Sequence, residues 1–179
     1  MSKKVGKGAV ILVILGIDPG FAIVGWGVIE YRDNTLRPVA FGAITTEAHT
    51  DFNMRLRQIY DDTVELLGKA KPDAVSVEKL YFKTNVTTGI QVAQARGVIL
   101  LAVQQAGVPI YEYTPMQVKT AVTGYGKARK PQVMEMTRRL LHLKEVPKPD
   151  DTADALAIAI THTQAAGTQL RDYMLKKGL

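Results

Sequence analysis

Short apolar runs separated by turn residues dominate the first quarter of the chain. The run 11–17 is typical of a strand buried on both faces, and Asp18-Pro19-Gly20 ends it with turn residues. Residues 23–31 and 36–46 are rich in β-forming side chains, and Asp33-Asn34 lies between them as a turn. These patterns predict an antiparallel meander of three strands.

The rest of the chain alternates between helical and strand patterns. A helix is predicted from an Asp51 cap to about residue 70, with an inner face made of Met54, Ile59, Thr63, Leu66 and Leu67. The other predicted elements are a strand at 74–78, a helix at 87–106, a strand at 108–113, helices at 116–122 and 131–142, and a last helix from 150 or 151 to about 164. This order predicts an α/β layer sandwich with a mixed sheet.

Composition indicates one ordinary globular domain. The chain has 179 residues, 46% of them hydrophobic and 22% charged, which is enough for one core. The absence of cysteine excludes disulfides and thiolate metal sites. The apolar run 9–15 is shorter than the roughly 20 residues of a membrane span, and no small-residue cleavage site follows it. We expect a flexible basic tail at 1–10, a domain at 11–166 and a C-terminal tail at 167–179.

Several acids occupy positions that are unusual for solvated carboxylates. Asp18 and Glu78 each close an apolar strand, at the edge where open α/β sheets place their ligands. Asp151 and Asp154 share one face in the first turn of an almost wholly apolar helix. A capping role explains Asp150 or Asp151 well, and either strand-end acid taken alone could be structural. Capping explains Asp154 less well.

Four converging carboxylates would repel one another and raise one another's pKa values unless a cation joined them. Hard oxygen ligands point to Mg²⁺ or Mn²⁺, and two such ions catalyse phosphodiester hydrolysis by activating water and stabilising the leaving oxygen. Our hypothesis places Asp18 between two ions, with Glu78, Asp151 and Asp154 completing their shells. His162 lies about 12 Å along the helix from Asp154, so we assign it to packing or the surface.

Positive charge is concentrated in one stretch. The net charge is +6, from 23 Lys and Arg against 17 Asp and Glu. Between Met116 and Lys144 the only acid is Glu135, and the basic residues are Lys119, Lys127, Arg129, Lys130, Arg138, Arg139 and Lys144. Such a face suits a polyanion such as DNA, although a solvated helix face is the plain alternative.

Five segments, in this order, carry a family resemblance. They are Ile14-Leu15-Gly16-Ile17-Asp18-Pro19-Gly20, Gly25-Trp26-Gly27-Val28-Ile29, Gln94-Ala95-Arg96-Gly97, Gln117-Val118-Lys119, and the run from Asp154 to His162. Over residues 11–163 the chain resembles the RuvC family of Holliday junction resolvases.

The resemblance implies an α/β, RNase H-like three-layer fold with a five-stranded mixed sheet flanked by helices. It implies a homodimer that makes paired symmetric nicks in four-way DNA junctions during recombination and repair, leaving 5′-phosphate and 3′-hydroxyl ends. Asp18, Glu78, Asp151 and Asp154 match the family's four acidic positions, with Asp150 leaving the third one open by a residue. Two Mg²⁺ per site are expected, with Mn²⁺ as an alternative.

The resemblance also implies DNA contacts and partners. Tyr81 aligns with an aromatic residue that stacks on unpaired bases at the junction centre, and Phe82 is the neighbouring candidate unless it packs in the core or the dimer. Lys119 and Lys130 match backbone-contacting positions; Lys127 and Arg129 are added on charge alone. A RuvA–RuvB branch-migration complex is an expected partner, and a cytoplasmic location is expected.

Three alternatives remain open from the sequence. An actin-like or sugar-kinase ATPase shares the Gly-Ile-Asp turn but needs two domains, for which 179 residues are too few. Another RNase H-like nuclease, such as one that cuts RNA–DNA hybrids, would have nearly the same active site. A structure-specific DNA-binding protein without catalysis would need the basic face but not the four acids.

Overall fold

The computed structural model describes the backbone of residues 11–80 and 86–177, and the side chains of these residues except 86–87 and 166–177. Ten elements follow one another within these ranges. They are β1 (Leu12–Asp18), β2 (Ile23–Arg32), β3 (Thr35–Thr45), α1 (Phe52–Ala70), β4 (Ala74–Glu78), α2 (Val86–Gln105), β5 (Ile110–Tyr113), α3 (Pro115–Thr123), α4 (Lys130–Leu140) and α5 (Asp150–Lys177).

The five strands form one mixed sheet in the order β3-β2-β1-β4-β5. β1, β2 and β3 are antiparallel neighbours, and the turn between β2 and β3 is made by Asp33 and Asn34 at φ 49° and 62°. β4 pairs in parallel with β1, and β5 pairs in parallel with β4. The meander and the mixed sheet that the sequence predicts are both confirmed.

Helices cover both faces of the sheet. One apolar core joins β1 residues Leu15 and Ile17 to α1 and α2, and a second core joins Ile14 to α3, α4 and α5. The alternation of side chains along β1 therefore supplies both cores, as expected of a strand buried on both faces. The arrangement is three layers, with the sheet in the middle.

Two details differ from the sequence-based expectation. Met54 is 57% exposed, and the neighbouring Arg55 is buried instead. The Arg55 Nε donates to Thr46 Oγ1 at 2.9 Å, and its guanidinium lies 3.9 Å from the centre of the Phe21 ring. The last helix continues to Lys177, well beyond the predicted end near residue 164.

No helix in the described part of the chain is long and apolar enough to cross a membrane.

Candidate active site

Asp18 and Glu78 lie side by side at the carboxyl edge of the sheet. The parallel pairing of β1 with β4 sets Ile17 opposite Val77, so the next residue of each strand is one of these acids. On the other side of β1, Asp18 pairs with Gly25 of β2. The sequence therefore places the two carboxylates correctly relative to the sheet.

Glycines allow helix α5 to lie directly on the backbone of β1 and β2. A Cβ on Gly16 would stand 2.1 Å from the carbonyl oxygen of Ala155, and one on Gly25 would stand 2.0 Å from that of Asp151. Neither distance is compatible with a side chain. This close approach brings the first turn of α5 over the end of β1. Sequence reasoning missed it, although the alanines of α5 facing strand glycines were a readable signal.

The four acids, called here the acid cluster (Asp18, Glu78, Asp151 and Asp154), are electrostatically coupled. Burial raises the pKa of Asp18 well above its usual value, and the charges of Asp154, Glu78 and Asp151 raise it further. Burial also raises the pKa of Glu78, again with help from Asp154. Burial raises the pKa of Asp154 despite a bond from Lys130. The cluster holds more negative charge than the protein alone compensates.

Lys130 is the cation closest to this charge. Its Nζ lies 2.8 Å from Asp154 Oδ2 and 3.8 Å from Asp150 Oδ2. Desolvation lowers the pKa of Lys130, but the hydrogen bond to Asp154 and the surrounding carboxylate charges outweigh it, so the pKa is raised overall. Lys119 on α3 is a second cation near these acids, because its charge, like that of Lys130, lowers the pKa of Glu78. The sequence did not predict that Lys130 contacts an acid of the site.

Asp150 and Asp151 differ in their surroundings. Lys148 Nζ donates to Asp150 Oδ1 at 2.7 Å, and this bond holds the pKa of Asp150 below its usual value. Asp151 instead contributes to the field that raises the pKa of Asp18. Of the two neighbours, Asp151 is the one whose charge acts on Asp18.

Carboxylate oxygens are the ligands that Mg²⁺ and Mn²⁺ prefer, so the donor chemistry of the acid cluster fits these ions. The pKa values of three of its members are raised because burial and neighbouring carboxylate charge outweigh the nearby ammonium groups, which is a condition that a divalent cation would relieve. Among the described side chains, no three acids or histidines are arranged closely enough to hold an ion as they stand. The residues fit a divalent cation in type, while the position beside Asp154 is taken by an ammonium group.

The other candidate residues fall into distinct places. Lys127 and Arg129 are exposed in the turn before α4, and Lys119 is half-buried on α3. Tyr81 and Phe82 lie outside the described residues. Arg138 and Arg139, which contribute to the basic stretch of the sequence, both bond to Glu135, at 2.8 Å and 2.7 Å. The free positive charge of this region is therefore smaller than the sequence suggests.

His162 is buried away from the acid cluster. Its Nδ1 lies 2.7 Å from the Tyr113 hydroxyl, and its ring lies 4.2 Å from that of Tyr111, measured between centroids. Desolvation lowers the pKa of His162 to about 4, so the imidazole is neutral at physiological pH while it is hydrogen-bonded to Tyr113. The packing role expected for His162 is confirmed.

Comparison with known proteins identifies the family. The family described as "Crossover junction endodeoxyribonuclease RuvC" matches residues 14–162, most of the chain. The chain belongs to the RuvC family. It is a crossover junction endodeoxyribonuclease, a Holliday junction resolvase, and not an ATPase or a binding protein without catalysis.

Individual RuvC relatives agree with this. The Brevibacillus brevis protein named crossover junction endodeoxyribonuclease RuvC is 63% identical over 151 residues, covering 84% of this chain and 91% of its own. The Thermus thermophilus RuvC structure has a TM-score of 0.81 at 38% identity, over 88% of this chain and 97% of its own. A second Thermus structure, in complex with Holliday junction substrate, has a TM-score of 0.82 at 39% identity, over 87% and 94%. These matches confirm the RNase H-like three-layer fold.

Proposed function

We propose that this RuvC protein cleaves junction strands at the acid cluster, where Asp18, Glu78, Asp151 and Asp154 hold two divalent cations. The observation that carries the proposal is the convergence of strand-end and helix acids into one field, in which burial and mutual repulsion raise the pKa values of Asp18, Glu78 and Asp154. Mg²⁺ is the expected ion, with Mn²⁺ as a substitute.

Asp151, not Asp150, is our choice for the third acid. Asp150 is already satisfied by Lys148, whereas Asp151 adds to the field at Asp18. The carbonyl of Asp151 also lies against Gly25, which fixes the start of α5 over the sheet edge. Packing of the backbone against Gly25 thus positions the helical turn that carries Asp151.

The roles of the residues follow from their positions. Bound divalent cations supply Lewis acidity for phosphodiester hydrolysis. Asp18 is influenced by the charges of Asp154, Glu78 and Asp151 together, so it is the residue that would contribute to holding both ions. Lys119 and Lys130 supply positive charge at the rim, where the charge developing on a phosphate needs stabilisation.

DNA contacts are proposed for two segments, the basic residues at the start of α4 and the aromatic residues that follow Glu78. Lys127 and Arg129 are exposed immediately before Lys130, so all three basic side chains can meet consecutive phosphates near the acids. Tyr81 is proposed to stack on an unpaired base at the junction centre, with Phe82 as the neighbouring candidate; both follow Glu78 closely in the chain.

A homodimer would give the two cuts that symmetric resolution requires. Helix α2 buries Ala95, Ile99, Ala102 and Val103 against the core. Its opposite face exposes a stripe at spacings of four, three and four residues, made of Ile90, Gln94, Gly97 and Leu101. Ile90 and Leu101 are 53% and 50% exposed. This spacing suits packing against the same helix of a second copy.

The dimer would place one acid cluster on each of two junction strands of like polarity, leaving 5′-phosphate and 3′-hydroxyl ends. From the family resemblance we also propose cooperation with a RuvA–RuvB branch-migration complex, and a cytoplasmic location.

A set of five single amide substitutions tests the assignment of the acids. Asp18→Asn, Glu78→Gln, Asp151→Asn and Asp154→Asn should each abolish cleavage of a four-way junction in Mg²⁺. Binding of the same junction, measured in chelator, should stay within a few-fold of the wild type, because each change removes negative charge facing DNA. Asp150→Asn is the matched control and should retain cleavage. Loss of activity in Asp150→Asn with activity retained in Asp151→Asn would contradict the third position.

A further inference from the structure

We propose that Lys130 is the built-in counter-cation of the acid cluster and that loading of divalent cations displaces it from Asp154. This inference rests on the proposed function and adds a step to it. In the metal-free protein the Lys130 ammonium group occupies the position next to Asp154. When a divalent cation binds, the ammonium group leaves Asp154 and becomes available to contact DNA.

The Lys130 ammonium group contacts carboxylate oxygens, as a bound metal ion would. Its Nζ lies 2.8 Å from Asp154 Oδ2, a distance typical of a charge-assisted hydrogen bond, and 3.8 Å from Asp150 Oδ2. Lys130 begins α4 whereas both acids lie on α5, so the tertiary fold creates the contact. The Lys130 side chain is 52% exposed, which leaves it a path out into solvent.

Neutralising the charge of Asp154 has the largest effect on the pKa values of its acidic neighbours. Its charge is the largest carboxylate contribution at both Asp18 and Glu78. The charge of Lys130 acts in the opposite direction on the same two groups. The Lys130 ammonium group thus partly offsets the repulsion at Asp18, Glu78 and Asp154. A divalent cation at the same place would offset it more strongly.

An ammonium group and a divalent cation on the same carboxylate repel each other and compete for its lone pairs. With Lys130 on Asp154, no three described carboxylates meet around a common point. Ion binding therefore competes with an existing ion pair, and the free energy of that pair is lost from the observed affinity. Removing Lys130 should tighten metal binding. A lysine that merely supported the shape of the site would weaken metal binding when removed.

The test is a titration of the metal-free, full-length protein with Mn²⁺ in the absence of DNA, followed by electron paramagnetic resonance of the free ion. Lys130→Met should bind Mn²⁺ roughly three- to fivefold more tightly than the wild type, the upper part of the range expected for a partly exposed pair. Lys148→Met is the matched control, because Lys148 bonds Asp150 and should leave the Mn²⁺ affinity within about twofold. An unchanged or weaker affinity in Lys130→Met would overturn the exchange.

A second readout guards against a fold defect. Without metal, Lys130→Met should melt at a lower temperature than the wild type, and saturating Mn²⁺ should raise its melting temperature by a larger increment. Lys130→Gln provides a polar variant of similar length, and the same pattern is expected from it.

Asp18→Asn separates the two proposals. If the wild type binds no Mn²⁺, or binds it as tightly as Asp18→Asn, the proposed function fails and the exchange fails with it. If Asp18→Asn weakens binding but neither Lys130 variant strengthens it, the exchange alone is wrong.

Discussion

At the scale of single residues, the protein keeps carboxylates where burial and like charge disfavour them. Asp18 lies at the end of a strand with three other acids in its field, and only cationic groups such as Lys130 act in the opposite direction. This is the usual condition of a site that gives up stability for function, because the same arrangement that destabilises the free protein favours a bound cation.

The loss of folding stability caused by the buried charge of Asp18 can be measured in the absence of metal. In chelator at neutral pH, Asp18→Asn should be more stable than the wild type, because the amide keeps the shape of the side chain and removes the repelled charge. Each pKa unit of repulsion corresponds to ~1.4 kcal/mol, and 1 kcal/mol shifts the melting temperature of a domain of this size by about 2–4 °C. Thermal melts of both proteins in chelator test this; a less stable Asp18→Asn would show that the charge is compensated.

His162 makes the stability of the folded protein depend on pH. Its pKa is about 4 in the folded protein, below the ordinary value of 6.5, because desolvation disfavours the charged form. The unfolded chain therefore takes up the proton first, and stability is full above pH 6.5 and is lost as the pH falls toward 4. Tyr111 and Tyr113 face the ring, and burial raises the pKa of Tyr113 above its usual value.

Between pH 7.5 and pH 5 the loss attributable to His162 is about 2 kcal/mol. His162→Gln should lose less stability than the wild type over this interval in denaturant unfolding, even if it is less stable at pH 7.5. Equal losses in both proteins would mean that His162 titrates normally in the folded state.

The sequence predicts some residues of the site but not their partners. Asp18 and Glu78 could be found because they end buried strands, and Asp154 because capping does not explain it. The bond between Lys130 and Asp154 could not be found, since it depends on how α4 lies across α5. The pairing of Arg138 and Arg139 with Glu135 was readable, because the spacings are three and four residues on one helix.

At the scale of elements, the site depends on the close packing of α5 against β1 and β2. Gly16, Gly25 and Gly27 leave no room for a Cβ between strand and helix, and so the first turns of α5 lie on the sheet itself. The distance between the strand acids and the helix acids is set by this contact.

Gly16→Ala should therefore separate the two halves of the site. The added methyl would meet the Ala155 carbonyl and the backbone of Ala159, neither of which can move alone. Overpacking of this kind costs about 1–3 kcal/mol, and cleavage should fall more than junction binding does. Gly68→Ala in α1 is the control, because its Cβ meets nothing within 4 Å and alanine favours a helix. Denaturant unfolding and junction cleavage should show a defect in the first variant only.

Element boundaries were predictable where local chemistry fixes them. The Asp51 side chain accepts from the amides of Asn53 and Met54, and so α1 begins where the sequence predicts. The inner face of α1 was less predictable, because burial of Arg55 depends on Thr46 and Phe21 from other parts of the chain. Helix α5 continues through Gly167 because one glycine only weakens a helix and does not stop it.

At the scale of the whole molecule, the distribution of free charge should control DNA binding. Lys127 and Arg129 are exposed in the turn that leads to Lys130, whereas Arg138 and Arg139 already bond to Glu135. The net charge of +6 therefore predicts the strength of DNA binding less well than the positions of the unpaired cations do.

Salt dependence distinguishes these groups. Lys127→Gln should reduce the slope of log binding constant against log salt by about 0.9, the amount expected for one phosphate contact. Arg139→Gln should leave the slope nearly unchanged, because its charge is already offset. Filter binding of a four-way junction over a salt series, in chelator, measures both. Equal slopes for Lys127→Gln and the wild type would remove Lys127 from the interface.

Metal-dependent cleavage of four-way junctions by the acid cluster can be tested directly. The most direct measurement is a gel assay of the wild-type protein on a mobile four-way junction and a matched linear duplex, each in Mg²⁺, Mn²⁺ and chelator. We expect paired symmetric nicks in the junction in either metal, none in chelator, and an intact duplex throughout. Cleavage in chelator, or equal cleavage of the linear duplex, would contradict this expectation.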